Sequence, residues 1–182
     1  MAEPTPEANR GRDPAFAVVA GGPGNLAVPF DDTGRGGSMD DWFERERLHR
    51  AAEAGDLTAI QECVGRGLPV NAFDELGKTA LHYAVLKERL AVVEFLIRHG
   101  ANVNAHDERT IGDTPLGEAA STCSLQMARL LTDSGADPTV RGWMQLNALN
   151  RAKERRRRQG TGSEGQAVYE LLREVSRKRK AR

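Results

Sequence analysis

The stretch GKTALHYAVLKERLAVVEFLIRHGANVNAHD, residues 77–107, is one complete unit of a pattern that recurs along the chain. Its first part is short and rich in small and apolar residues, which predicts a short helix followed by a polar turn. Its second part places Leu90, Val93, Phe95, Leu96 and Ile97 at helical spacing, which predicts an amphipathic helix. Gly100 suits the left-handed backbone conformation found at helix ends. The stretch therefore predicts a helix-turn-helix unit followed by an extended connector.

The unit has counterparts on both sides, and their spacing sets the domain organisation. Leu81 corresponds to Leu48, Leu116 and Leu149, and the successive separations are 33, 35 and 33 residues. A period near 33 with two helices per unit is typical of a solenoid. We expect about four units, at residues 42–74, 75–107, 108–141 and 142–176. The last unit carries about seven additional residues, which predicts an insertion at 155–165.

These residues resemble a known family. GKTALHYAV…LAVVEFLIRHGANVNAHD and GDTPLGEAA…LQMARLLTDSGADPTV are similar to ankyrin repeats, and the resemblance covers residues 42–175. It implies an all-α ankyrin-repeat solenoid with short hairpin connectors. It also implies that His82 hydrogen-bonds within its turn. The first unit lacks the leading hairpin and is expected to be an N-terminal cap whose exposed end is shielded by Trp42 and Phe43.

Both ends of the chain differ in composition from the repeats. Residues 1–37 are rich in Gly, Pro and Ala, and we expect them to be disordered. Whether the short apolar element Asn25–Phe30 docks on the repeats stays open. Ser38 is the expected N-cap of the first helix. Residues 177–182 are expected to form a basic tail.

The charge distribution is uneven although the formal net charge is zero, from 26 Lys/Arg and 26 Asp/Glu. Residues 141–182 contain 13 Lys/Arg and 4 Asp/Glu, a balance of +9, which leaves 13 and 22 for residues 1–140, a balance of −9. Such asymmetry can mark a region that binds nucleic acid or an acidic partner, and it can also serve solubility.

The sequence contains no motif for catalysis, a cofactor or a metal. It has no phosphate loop, dinucleotide-binding loop or nucleophile elbow. Cys63 and Cys123 do not form a paired metal-ligand spacing or a disulfide framework, which fits a reducing compartment. No apolar run reaches the roughly 20 residues of a membrane span. We expect a cytoplasmic monomer without enzymatic activity, cofactor or membrane association, or a nuclear one if the organism is eukaryotic.

The predicted function is therefore protein binding, as an adaptor, inhibitor or immunity-type partner, through the concave face of the repeats. Variable positions on this face include Leu76 and Lys78. The predicted partner-binding residues are Tyr83, Leu86, Lys87, Arg109, Ile111, Asp113, Trp143 and Met144. Tyr, Trp and Arg are enriched at interface hot spots. Tyr83 and Trp143 have an equally weighted alternative, which is to fill or cover the packing between helices.

The four arginines Arg155–Arg158 form a predicted basic patch in a loop that is separable from the core. Three interpretations of this patch remain open. It can cap the last repeat and keep it soluble, bind an acidic protein, or bind nucleic acid as part of a nuclear or nucleic-acid-associated regulator. No aromatic residues alternate with the arginines for base stacking, which makes binding to nucleic acid the weaker hypothesis.

Overall fold

The computed structural model describes residues 39–107 and 112–181. Within these ranges the chain forms eight α-helices and one short 3-10 turn, and its residues form no β-strand beyond a single bridge between Arg141 and Asn147. The helices are α1 (Met39–Ala54), α2 (Leu57–Gly65), α3 (Ala80–Leu86), α4 (Leu90–Arg98), α5 (Pro115–Ala119), α6 (Leu125–Asp133), α7 (Ala148–Gln159) and α8 (Glu164–Lys180). The 3-10 turn is Trp143–Gln145.

The helices stack in two rows, as an all-α ankyrin solenoid requires. The first helices of the units, α1, α3, α5 and α7, pack side by side in chain order. Among the second helices, α2 packs on α4 and α6 on α8. Small residues let the first helices approach closely, and Ala52, Ala84, Ala120 and Ala152 are all fully buried. Leu48, Leu81 and Leu116 are also fully buried, and Leu149 is partly buried against the same core.

The helices begin at side chains that accept free backbone N–H groups. Asp56, Ser124, Asn147 and Ser163 each accept a hydrogen bond from the backbone N–H three residues further on. Thr114 does the same for Gly117 at 3.0 Å. Each such cap typically stabilises a helix by about 1 kcal/mol. These caps fix where α2, α5, α6, α7 and α8 start.

One cap joins neighbouring units. Glu88 has a φ of 57°, a left-handed conformation that is uncommon outside glycine, and it occupies the register position of Gly55 in the first unit. Its carboxylate accepts hydrogen bonds from the backbone N–H of Ser124 at 2.8 Å and from the Ser124 hydroxyl at 2.5 Å. The second unit thereby holds the start of α6 in the third, where the helix dipole also favours a negative charge.

The connectors are tied to one another by asparagine side chains. The Asn71 amide donates to the Gly100 carbonyl at 3.0 Å and accepts from the Asn102 N–H at 2.7 Å. Asn104, which lies 33 residues later, makes the same two bonds to Gly135 at 3.2 Å and Asp137 at 2.7 Å. The repeat of 33 residues therefore carries a hydrogen-bond ladder as well as a core pattern.

The last unit differs from the expectation. Helix α7 continues through Arg155–Arg158 to Gln159, so the four arginines form its last turns and the connecting loop is only residues 160–163. Arginine is a good helix former and is favoured at helix C-termini, and Gly160, with a φ of 82°, ends the helix. Helix α8 continues to Lys180, so residues 177–180 are helical and not a tail.

Two further points concern the chain ends and the membrane. The predicted N-cap Ser38 and the element Asn25–Phe30 lie outside the described residues, and α1 begins at Met39. No helix in the described part of the chain is long and apolar enough to cross a membrane.

Candidate functional site

A buried histidine joins the second unit to the third. Nδ1 of His82 accepts a hydrogen bond from the backbone N–H of Thr79 at 3.0 Å, so Nε2 carries the proton and donates to the Asp113 carbonyl at 2.8 Å. Burial lowers the pKa of His82 below its ordinary value of 6.5, because desolvation disfavours the charged ring. His82 is therefore a neutral, fully bonded structural group, as the family resemblance implies.

His49, at the same position of the first unit, is also structural but has different partners. Its Nδ1 lies 2.7 Å from the Arg45 carbonyl and its Nε2 lies 3.2 Å from the Ala72 carbonyl. The position equivalent to Thr79 is Glu46 in this unit, so the turn bond of His82 has no counterpart there.

The two cysteines are free thiols buried in the core. Burial raises the pKa of Cys123 to about 12, and the nearby Glu88 carboxylate adds to the effect. Burial also raises the pKa of Cys63. A thiol with a raised pKa is a poor nucleophile at neutral pH. Among the described residues, no group of three or more His, Cys, Asp or Glu side chains is arranged to hold a metal ion.

Tyr83 is half-buried between the first helices and is already hydrogen-bonded. Its hydroxyl donates to the Asp74 carboxylate at 2.6 Å, and Nζ of Lys78 lies 5.7 Å from the ring centre. Burial and the Asp74 carboxylate raise the pKa of Tyr83. This geometry agrees with the packing alternative for Tyr83. Its role as a partner contact stays a prediction.

The charged side chains along the first helices pair with one another across units. Lys87 pairs with Glu53 at 3.0 Å, and Lys78 pairs with Glu118 at 2.5 Å. These bonds link the first unit to the second and the second to the third. The charged groups of this face are thus largely compensated within the chain.

The next pair in this series links the third unit to the fourth through Asp113. The carboxylate of Asp113 pairs with the Arg151 guanidinium and packs against the backbone of Gly142, where no side chain would fit. Asp113 therefore supports the inner row of helices. Its predicted contact role is not tested by this arrangement.

Exposed apolar residues recur at one position of the repeat, five residues before the period leucine. Phe43 is 58% exposed, Leu76 68% and Met144 65%. The equivalent residue of the third unit, Ile111, lies outside the described residues. The remaining large hydrophobic residues that are exposed in the described part of the chain are Phe73 and Leu146, which are near neighbours of Leu76 and Met144. We call these five residues the apolar row.

Phe43 and Met144 each have an additional feature in the structure. Phe43 was expected to shield the end of the first unit, yet more than half of its surface is exposed, and it lines an open depression of about 440 Å³ with Arg50 and Ala54. Met144 has a φ of 56° and its neighbour Gln145 a φ of 59°. Non-glycine residues in this left-handed region carry strain of about 1 kcal/mol or more, and such strain concentrates at functional sites.

The remaining predicted contacts have the following positions. Leu86 is half-buried at the end of α3, and Lys87 follows it on the surface with its ammonium group paired as above. Trp143 opens the 3-10 turn, and its side chain, like the whole of Arg109, lies outside the described residues. Leu76 is the most exposed large apolar residue in the described structure, and its loop position in the repeat register was the available sequence signal.

The four arginines of the predicted basic patch do not form one exposed surface. Arg155 is only 5% exposed, and its guanidinium donates to the Cys123 carbonyl at 2.6 Å and lies 3.6 Å from the Glu164 carboxylate. Gly165 packs against the stem of Arg155, where a side chain would overlap it. Arg155 is therefore a structural residue that joins the last two units, and it is not separable from the core.

The other three arginines point away from this buried contact. Arg156 lies over the ring of Tyr169, 4.4 Å from its centre, and Arg157 pairs with Glu154 at 3.6 Å. Arg158 is exposed and has no hydrogen bond or ion pair with any described residue. The run of four identical residues thus has four different environments.

Comparison with known proteins identifies the repeats. A family model described as ankyrin repeats, in three copies, matches residues 40–142. The B-cell lymphoma 3 protein homolog of Mus musculus is 34% identical over 110 residues, which is 60% of this chain and 24% of that protein. A human Arf-GAP with coiled-coil, ANK repeat and PH domain-containing protein 3 is 48% identical over 63 residues, 34% of this chain and 8% of that protein.

A third relative is an enzyme, the palmitoyltransferase akr1 of Schizosaccharomyces pombe, which is 42% identical over 59 residues, 32% of this chain and 9% of that protein. The match spans less than a quarter of the length of each of these three relatives. The ankyrin model matches more than half of the 182 residues, and the paired helices stack as the repeats require. The chain belongs to the ankyrin repeat family, whose repeats are generally protein–protein interaction modules.

Proposed function

We propose that this chain is a non-catalytic adaptor, inhibitor or immunity-type protein that binds a partner protein through the apolar row and the adjoining first helices. The observation that carries the proposal is the distribution of exposed apolar side chains. Of the five large hydrophobic residues that are exposed in the described part of the chain, three (Phe43, Leu76 and Met144) share one position of the repeat, and the other two lie within three residues of Leu76 or Met144 in the sequence. Clustered exposed apolar residues mark interaction sites, whereas single scattered ones do not.

The repeat register supports a continuous contact. Packed helices lie about 8–10 Å apart, so Leu76 and Met144, two units apart, are separated by about 20 Å along one edge of the solenoid. That length suits a standard protein interface, which spans about 800 Å² on each partner. The repeat position between them is that of Ile111, which lies outside the described residues.

The adjoining surface is already ordered before any partner binds. Tyr83 is held by Asp74, and the ion pair between Lys78 and Glu118 links two units. A partner therefore meets side chains that lose little further conformational entropy, which favours affinity. Because Lys78, Lys87 and Asp113 are paired within the chain, the apolar row is the part of this face that a partner can cover without breaking those ion pairs.

The proposal is tested by affinity capture with a double variant, Leu76→Ser with Met144→Ser. Removing two exposed apolar side chains leaves the core intact, so the variant should unfold at the wild-type temperature within a few degrees. Hot-spot residues each contribute about 2 kcal/mol or more to binding. The variant should therefore fail to capture the partner, or bind it with an affinity at least about 100-fold lower than that of the wild type.

The matched control carries the same number of serine substitutions on second helices, Gln61→Ser with Gln126→Ser, both at exposed positions. It should capture the partner as the wild type does. Equal capture by the wild type and the apolar-row variant would overturn the proposal. A second double variant, Tyr83→Ala with Lys87→Ala, shows whether the adjoining helix face contributes.

A further inference from the structure

The last helix displays three cations that no described carboxylate neutralises. Arg173, Arg177 and Lys180 are exposed on α8, and none of them has a hydrogen bond or ion pair with a described residue. Their spacing of i, i+4 and i+7 places them on one face of the helix. At 1.5 Å per residue the three cations extend over about 10 Å. We call them the cationic stripe.

The carboxylates of the last unit are all engaged elsewhere. Glu170 and Glu174 lie within one helical turn of the cationic stripe, but Glu170 accepts from the Gln166 amide and Glu174 pairs with Lys178 at 2.6 Å. The four carboxylates between residues 147 and 181 have the following partners: Glu154 pairs with Arg157, Glu164 pairs with Arg155 and accepts from the Leu125 N–H, Glu170 accepts from Gln166, and Glu174 pairs with Lys178. No carboxylate of this unit is left to pair with the cationic stripe.

The helix that carries the cationic stripe is fixed to the rest of the solenoid at its C-terminal end. The guanidinium of Arg179 donates to the Asp137 carboxylate at 3.1 Å and to the Gly135 carbonyl at 2.7 Å. Burial alone would raise the pKa of Asp137, but hydrogen bonds from the hydroxyl and N–H of Thr139 and the charge of Arg179 hold it below its ordinary value. The three cations are therefore presented on a fixed helix.

Two observations favour a protein partner over a nucleic acid for the cationic stripe. Tyr169 is the only aromatic residue between positions 147 and 181, and Arg156 covers its ring, so no free ring is available for base stacking. Three cations in line release only about three counterions from a duplex, which supports weak, non-specific binding at most. Carboxylates on an acidic helix recur at the same i, i+4 and i+7 spacing and can meet each cation singly, and arginine binds carboxylate through two parallel hydrogen bonds.

We propose that Arg173, Arg177 and Lys180 form a second docking site, which receives an acidic helical segment of a partner protein. This site lies on α8 and is separate from the apolar row, so it adds to the proposed function and does not depend on it. The contact is exposed and charged, so it sets orientation and association rate more than total affinity.

The probe is a fluorescent, alanine-based helical peptide with glutamates at i, i+4 and i+7, and the measurement is fluorescence anisotropy against the full chain. Binding is expected at about 50 mM salt and should weaken at least tenfold by about 300 mM, because exposed charges are screened. The variant Arg173→Gln, Arg177→Gln, Lys180→Gln should reduce affinity at least tenfold at the lower salt concentration.

The matched control removes the same charge from cations that already have partners, Arg47→Gln, Arg66→Gln and Arg98→Gln. It should bind the peptide as the wild type does, and circular dichroism should show both triple variants folded. A peptide of equal composition whose glutamates fall on different faces should bind several-fold more weakly than the matched one.

Three results would overturn the proposal. The first is no binding of the peptide to the wild type at low salt. The second is equal loss in both triple variants, which would mean attraction to net charge alone. The third is tighter binding of a duplex DNA of about 20 base pairs than of the peptide, with loss in the stripe variant, which would assign the surface to nucleic acid.

Discussion

The middle of the solenoid and its last unit use charge in opposite ways. In the middle, cations such as Lys78 and Lys87 pair with carboxylates of neighbouring units, and the apolar side chain of Leu76 is exposed to water. In the last unit one arginine, Arg155, is buried and the cationic stripe faces water unpaired. The position of a residue in the repeat, and not its charge, therefore decides whether it supports the fold or is free to meet a partner.

The largest expected effect comes from breaking the buried contact of the last unit. Arg155→Ala leaves the Cys123 carbonyl and the Glu164 carboxylate without their buried partner. We expect a loss of about 2–4 kcal/mol in the free energy of unfolding, measured by urea denaturation. The matched variant Arg158→Ala, on the same helix, should change it by no more than about 0.5 kcal/mol.

Equal effects of Arg155→Ala and Arg158→Ala would contradict the division of the arginine run. Arg155→Met sharpens the test, because it keeps the apolar stem that packs against Gly165 while removing the charge. If the hydrogen bond to Cys123 is the main contribution, Arg155→Met should recover only a small part of the loss.

The second largest effect is expected in the middle of the solenoid. His82→Ala removes the acceptor for the Thr79 N–H and the donor to the Asp113 carbonyl, both in a buried setting. We expect a loss of about 2–3 kcal/mol in the free energy of unfolding, measured by the same denaturation. A loss below about 1 kcal/mol would show that the units are held by apolar contacts alone.

The same histidine gives a pH dependence with a defined sign. The folded pKa of His82 lies below its unfolded value of 6.5, so the unfolded chain binds more protons between the two values. Its stabilising contribution is complete above about pH 7 and is lost as the pH falls below 6.5 toward the folded pKa. The decrease in unfolding free energy on acidification should be smaller in His82→Gln than in the wild type.

A smaller effect is expected in the connector ladder. Asn104→Ala removes hydrogen bonds to Gly135 and Asp137 that are partly exposed to water. The expected loss is about 1–2 kcal/mol in the free energy of unfolding, measured by thermal or urea denaturation. Asn150→Ala, at an exposed helical position whose side chain makes no hydrogen bond with a described residue, is the matched control and should be neutral within about 0.5 kcal/mol. Equal losses in the two variants would contradict a stabilising role for the asparagine hydrogen bonds between the connectors.

The fold was predictable because the repeat fixes several features at once. The 33-residue period predicted the positions of the buried leucines, of the small residues between helices and of the turn histidine His82. Each of these residues has the expected place in the structure. Capping residues such as Ser124 and Thr114 also follow from local sequence, since a short polar side chain before an apolar run is a helix start.

The exceptions arise where a residue departs from its local tendency because of a distant partner. Arg155 was read as part of a solvated run, but the carbonyl it binds is 32 residues away, and no local pattern shows that contact. The insertion was expected to be a loop because it adds about seven residues between the two helices of the unit, yet arginines extend α7 readily. The asparagine ladder had a usable signal, since Asn71 and Asn104 are 33 residues apart, and it was overlooked.

The candidate site was predictable only in part. Met144 and Leu76 are both exposed, and each lies five residues before a period leucine, which is a signal that the sequence contains. Exposure itself depends on how the connector folds, and the left-handed conformation of Met144 and Gln145 cannot be read from their residue types. The roles of all predicted contact residues stay proposals.

The central claim is that the apolar row, and not the arginine-rich end, is the main contact for the partner captured by the wild type. The most direct measurement is the dissociation constant of that partner at about 50 mM and about 500 mM salt. For the variant Arg173→Gln, Arg177→Gln, Lys180→Gln, which lacks the screened contribution of the cationic stripe, an apolar contact predicts a change of no more than about threefold between the two salt concentrations, because burial of apolar surface is little affected by screening. A weakening of about 100-fold or more would contradict the claim and place the main contact on exposed cations.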